Sequence, residues 1–250
     1  MATDFIAIDL ETANSDVRSI CQVGLVCFRQ GAPHREWMSY VNPRDHFDPM
    51  NVSIHGITEA KVRSSPDFPR VAGHLREMLD GEIVISHTHF DRVALGKALE
   101  GHGIPGPDCH WLDSAMIARR AWRGLRGEGG YGLANLCGIL GYSYQHHDAL
   151  ADAKAAGAVV LAAIEQTDVG LDQWLKQVKL PVSEGPQVSI RANPAFLNGW
   201  EAATVVKAAV PAGRHDDDER PRANGSQVRS GSQKSGFWER LARRRRSGAK

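Results

Sequence analysis

Four carboxylates and one histidine in this 250-residue chain occupy positions where their charge is costly. Asp9 and Glu11 stand in Asp9-Leu10-Glu11-Thr12, directly after the apolar run Phe5-Ile6-Ala7-Ile8. Side chains at i and i+2 of a strand share a face, so both carboxylates point the same way at the end of a buried strand. Like charges this close force one group to take a proton unless a cation lies between them, and oxygen ligands of this kind suit Mg²⁺ or Mn²⁺. As an isolated pattern, D-x-E is common and describes an ordinary solvated loop start.

Asp91 precedes Ala94, Leu95 and Ala98 at helical spacing, which sets it on an apolar stripe. A first-turn aspartate is also favoured there by the helix dipole. Asp152 shares a helical face with Ala149, Ala156, Val159 and Ala163 and reads as mid-helix. An unpaired carboxylate there is expensive. Lys154 is on the wrong side to pair with it, which leaves a metal or a distant arginine. His147 falls on the loop before that helix, with Asp148 as the cap. Such a histidine can accept a proton from an attacking water, although the neighbouring His146 makes the segment histidine-rich and weakens the signal of His147 alone. Taken together, the carboxylates and His147 fit two-metal phosphodiester hydrolysis.

The elements that must position these groups are legible in outline. Phe5 to Ile8, Ile20 to Phe28 and Trp37 to Val41 read as strands with short connections, hence antiparallel. Helical spacing over Phe68 to Leu79 is followed by a strand from Glu82 to Ser86, a helix from His89 to Glu100, and a fifth strand ending at Trp111-Leu112. Helices follow at Ser114 to Trp122, Leu133 to Leu140 (closed by Gly141) and Ala149 to Glu165. Strands first, then strand–helix alternation, predict an α/β fold: a mixed sheet flanked by helices.

Asp9-x-Glu11-Thr12, Phe90-Asp91 and His147-x-x-x-x-Asp152 together resemble the DEDDh branch of the DEDD exonucleases. Within it the chain is most similar to the DnaQ-like group that includes the proofreading epsilon subunit of bacterial DNA polymerase III. His55-Gly56-Ile57-Thr58 and His147-Asp148-Ala149-Leu150-Ala151-Asp152-Ala153 support the likeness, which covers about residues 3–166. The resemblance implies a ribonuclease-H-like mixed five-stranded sheet with helices on both sides. It implies two divalent ions, Mg²⁺ or Mn²⁺, held by Asp9, Glu11, Asp91 and Asp152, with Asp9 bridging both. It also implies His147 as general base, and Thr12, His55 and Phe90 near the terminal nucleotide. Many relatives have Asn-Ala ahead of the Phe-Asp pair where this chain has Ser86-His87-Thr88-His89. That difference alters the pocket lining and leaves every carboxylate in place.

The implied partner is the 3′ end of a single-stranded nucleic acid, DNA favoured, with RNA or short oligoribonucleotides as the alternative. His87-x-His89-x-Asp91 falls short of the H-x-H-x-D-H signature of metallo-β-lactamase-fold hydrolases, because Arg92 stands where that motif needs histidine. A non-catalytic adaptor on the same fold would be marked by a missing carboxylate or histidine, and none is missing.

Charge divides the chain. The whole carries +1 and residues 211–250 carry +6, which leaves −5 for the first 210. The domain reading is an exonuclease domain at 1–170, a poorly defined linker or short helices at 171–210, and a basic disordered tail at 211–250. The tail's Phe237, Trp238 and Leu241 with Arg243 to Arg246 suit a docking peptide for a polymerase or clamp, a nucleic-acid contact, or a plain solubilising tail. Cys21, Cys27, Cys109 and Cys137 form no C-x-x-C pair and read as free thiols. With no signal peptide and no apolar run long enough to span a membrane, the expected location is cytoplasmic.

Overall fold

Strand β1 (Phe5–Thr12) is apolar on both faces up to Ile8, which suits it to the middle of a sheet covered on both sides. The computed structural model describes residues 3–178 and the backbone of 205–207, and there β1 is central. It pairs antiparallel with β2 (Ile20–Arg29) and parallel with β4 (Ile83–Ser86). Beyond these lie β3 (Ala32–Tyr40), antiparallel to β2, and β5 (His110–Asp113), parallel to β4. The five expected strands are thus present as one mixed sheet. A short edge strand, Val205–Lys207, pairs parallel with β3. The 211–250 tail and most of 171–210 lie outside the described residues.

Alternation along β1 separates two cores. Phe5 and Ala7 face one side with Val26 and Phe28 of β2, and Ile6, Ile8 and Leu10 face the other with Val23 and Leu25. The second side is covered by α3 (Phe68–Leu79) and α4 (Phe90–Gly101). The first is covered by α5 (Ser114–Ala121), α6 (Leu133–Leu140) and α7 (Ala149–Thr167), and α8 (Leu171–Gln177) adds buried Leu171 and Trp174 to that core.

Two extents differ from the reading of the sequence. The first strand does not stop at Ile8: β2 continues to pair as far as Glu11↔Gln22 and Thr12↔Ile20, so Asp9 and Glu11 sit within the ladder. β3 begins at Ala32 because Gln30 and Gly31, both at positive φ (54° and 76°), form a tight hairpin turn after β2. Two short helices, α1 (Pro49–His55) and α2 (Glu59–Val62), have no counterpart in the sequence reading. Their signals were present: Pro49 opens the first, Gly56 closes it at φ 70°, and the Thr58 side chain caps the second.

Helix α7 lies unusually close to the sheet. A Cβ on Gly24 of β2 would stand 2.3 Å from the Ala149 backbone carbon, and one on Gly157 of α7 would stand 2.3 Å from the Phe28 ring. Phe28 itself stacks on Phe5 across the ladder at 4.6 Å between centroids. Lys154 turns away from Asp152 and pairs with buried Glu36 of β3 at 2.6 Å, as the helical geometry required. We expect Gly24→Ala to destabilise the protein by about 1–3 kcal/mol, because the atoms it meets are backbone and cannot swing aside. Urea denaturation of this variant beside Gly73→Ala, where an added Cβ meets nothing within 4 Å, provides the check. Equal midpoints would mean that the close approach is not limiting.

Candidate active site

Three elements bring the four carboxylates together. Asp9 and Glu11 alternate with Leu10 and so share the face of Phe5 and Ala7, beneath α7. Asp91, in the first turn of α4, is 2% exposed, and its Oδ1 accepts the Leu10 backbone N–H at 3.0 Å, which ties α4 to β1 between the two strand carboxylates. Asp152 is in the first turn of α7 rather than mid-helix, because the helix starts at Ala149. At that end the free backbone N–H groups favour a negative charge. Atoms of Glu11, His147 and Asp152 lie within 4.8 Å of one another.

The start of α7 is fixed by a residue the sequence reading did not single out. Gln22, buried and paired with Glu11 in the ladder, accepts the Ala149 N–H on Oε1 at 3.2 Å and donates Nε2 to Asp148 Oδ2 at 3.4 Å. Asp148 Oδ1 in turn accepts the Ala151 N–H at 3.0 Å, the expected cap. A lone polar side chain within the apolar run Ile20 to Phe28 was the available signal. His147, exposed on the preceding loop, has φ 60°, in the left-handed region that favours glycine.

Burial, followed by Asp91, Asp152, Glu11 and Asp148, holds the Asp9 carboxyl well above the usual range. Glu11 is pushed up to about 8 by burial and then by Asp152, Asp91 and Asp148. Burial raises Asp91 to about 7 against the opposing Leu10 amide. Every charge that raises Asp9 and Glu11 is another carboxylate. Asp152 is also raised by burial, opposed by the Tyr144 hydroxyl and the His147 amide. That hydroxyl is buried yet closes no hydrogen bond of ordinary geometry. Clustered oxygen donors with uncompensated negative charge suit a hard divalent cation, so the residues fit the metals that such a site implies.

The remaining expected residues border this cluster. Thr12 is buried at the end of β1, where its carbonyl accepts Asn51 Nδ2 at 2.9 Å and His55 Nε2 at 3.1 Å. Because His55 Nδ1 accepts the Ile57 N–H at 3.0 Å, its proton is on Nε2, and burial lowers its pKa. His55 therefore braces the strand end as a neutral ring. Phe90, 39% exposed, stands beside Asp91. His87 accepts from Ser114 Oγ at 2.8 Å and donates to the Tyr131 carbonyl at 3.1 Å, so both its ring nitrogens are already engaged. The cysteines are free thiols. No helix among the described residues is long and apolar enough to cross a membrane.

A mixed sheet with this strand order, bearing clustered carboxylates from its central strand and two flanking helices, has the ribonuclease-H-like architecture of metal-dependent phosphodiesterases. The exonuclease family model (RNase_T) matches residues 6–160, and the chain belongs to that family. It is 28% identical over 167 residues to the 3′-5′ exonuclease DinG of Bacillus subtilis (strain 168), a match that covers 65% of this chain and 18% of that protein. The chain thus spans about a fifth of that relative's length. Among solved structures, Exonuclease X in complex with 5′ overhanging duplex DNA superposes with TM-score 0.57 and 22% identity, covering 70% of this chain and 99% of that one. The nuclease domain of 3′hExo, a DEDDh family member bound to rAMP, gives TM-score 0.57 and 15% identity over 73% and 97%.

Without metal, folded Glu11 and Asp91 keep their protons to about pH 8 and about pH 7, whereas the unfolded chain releases them in the ordinary carboxylate range. The folded state then binds more protons between those limits, so this part of the stability falls as pH rises. A bound divalent ion removes the penalty. We expect the Tm gain from saturating Mn²⁺ to be larger at pH 8 than at pH 5, and Glu11→Gln to flatten the decline seen in EDTA. A metal shift independent of pH would refute the clustering.

Proposed function

We propose that this exonuclease domain removes nucleoside monophosphates one at a time from the 3′ end of a nucleic-acid strand, with single-stranded DNA as the favoured substrate. The observation that supports this most is the convergence of Asp9, Glu11, Asp91 and Asp152 with His147, from β1, α4 and the start of α7, in a cluster whose mutual repulsion calls for cations. Two divalent ions, Mg²⁺ or Mn²⁺, would supply polarisation of the scissile phosphodiester and stabilisation of the departing 3′-oxygen. The four carboxylates would hold them. His147, within reach of Glu11 and Asp152, would take the proton from the attacking water. Thr12 and Phe90 would border the terminal nucleotide, with His55 keeping the end of β1 in place.

RNA is the second reading, favoured by the rAMP bound to the similar 3′hExo domain. We place the domain over residues 1–170 and extend it through α8, whose Leu171 and Trp174 are buried in its core. The protein's setting is proposed as cytoplasmic repair or proofreading. The basic stretch 211–250 is proposed to engage a polymerase or clamp.

The test is incubation with 5′-labelled single-stranded DNA and the matching RNA in Mg²⁺, Mn²⁺ or EDTA. A ladder shortening from the 3′ end, lost in EDTA, is expected, and the faster strand names the substrate. Asp9→Ala should abolish shortening while the fold survives. His147→Ala should slow it by about 10² to 10⁴. Turnover by Asp9→Ala at the parent rate would sink the assignment.

A further inference from the structure

Arginines occupy positions 119, 120, 123 and 126, four of the sixteen Lys and Arg residues between 3 and 178. Only one acid, Glu128, follows before Tyr131, so this segment runs against the acidic balance of the first 210 residues. Arg119 and Arg126 are exposed, and among the described residues neither forms an ion pair. The Arg119 guanidinium lies over the Tyr131 ring at 5.7 Å and contacts Met116 Sδ at 3.7 Å, which leaves its charge unneutralised.

The segment is fastened to the active site. Asp113 caps α5 by accepting the Ala115 N–H at 2.8 Å, and the same oxygen accepts the Thr88 N–H at 3.1 Å. Thr88 belongs to the turn that leads into Phe90 and Asp91. His87, from the same turn, reaches the Tyr131 carbonyl and Ser114. The loop is closed on itself by Tyr131 Oη donating to the Trp122 carbonyl at 2.8 Å and by Asn135 Nδ2 donating to the Glu128 and Gly130 carbonyls. At Gly127, Gly130 and Gly132 an added Cβ would meet nothing within 4 Å, so the backbone there is open to an incoming chain.

A cluster of four carboxylates repels a polyanion, and bound ions neutralise only the phosphates they touch. The rest of the strand needs cations that are near the site and not already spent on acids. We propose that Arg119 and Arg126, presented by α5 and the segment up to Tyr131, form a phosphate-binding surface for the body of the nucleic-acid strand whose 3′ end enters the carboxylate cluster. The proposal rests on the exonuclease reading for the direction in which the strand lies.

The test uses the full chain and its Arg119→Ala/Arg126→Ala variant. Binding of a 5′-fluorescein single-stranded DNA 20-mer is followed by anisotropy in EDTA over a series of KCl concentrations. Hydrolysis of the p-nitrophenyl ester of thymidine 5′-phosphate in Mn²⁺ reports separately on the reacting centre, because that substrate has no strand to bind. The expected result is binding weakened by about tenfold or more, a log Kd against log salt slope shallower by about 0.7 for each lost contact, and ester hydrolysis unchanged. Arg119→Lys/Arg126→Lys should keep most of the affinity. Unchanged affinity and slope would overturn the proposal, and so would a parallel loss of ester hydrolysis, which would show damage to the site. A parent protein inert towards the ester would count against the exonuclease reading, while the binding series would still decide the surface.

Discussion

Helix α7 rests on the sheet at backbone contact, and it can do so only where side chains are absent. Gly24 lies opposite Asp9 in the ladder, and the Ala149 backbone occupies the space that a side chain there would need. Gly157, two turns further along, accommodates the Phe28 ring in the same way. The alanines of α7 keep the helix low along its length. This approach carries Asp152 down to the level of Asp9 and Glu11. A helix held a side chain higher would leave the strand carboxylates and the helix carboxylate too far apart to share a cation.

The packing that creates the cluster also creates its tension. Apolar cores on both faces of β1 remove water from the carboxylates, and each then raises the proton affinity of the others. Dipoles offset part of this: the Leu10 amide on Asp91 and the backbone amides at the start of α7. None of them carries a full charge. Glu36 shows how the same core treats a buried acid with a structural task, since it has its own lysine at 2.6 Å. The contrast separates an acid neutralised by its own lysine from acids that face chiefly one another.

Much of this was legible in the residues, because strong periodicity and costly placement both leave marks. Two-residue spacing put Asp9 and Glu11 on one face, and four-residue spacing put Asp91 and Asp152 on apolar ones. Helical geometry also excluded Lys154 as the partner of Asp152. Groups whose importance arises only across the ladder were not legible. Gln22 looks like one polar residue in an apolar strand until the register sets it beside Glu11 and under Ala149. His55 carries its signal in a motif, but its bracing of Thr12 depends on a short helix whose few residues give periodicity too little length to register. Tyr144 reads as an ordinary loop aromatic until folding buries its hydroxyl near Asp152.

Two turns flank the cluster in conformations that L-residues disfavour: His147 at φ 60° and the β-branched Thr88 at φ 75°. Each such residue costs on the order of 1–3 kcal/mol, held in place by its surroundings. Glycine would relieve that cost at either position. A library of this protein selected only for heat resistance or expression yield would therefore drift towards glycine at both turns, giving sturdier molecules that had lost the imidazole at 147. Laboratory evolution of this chain needs turnover in its screen from the first round.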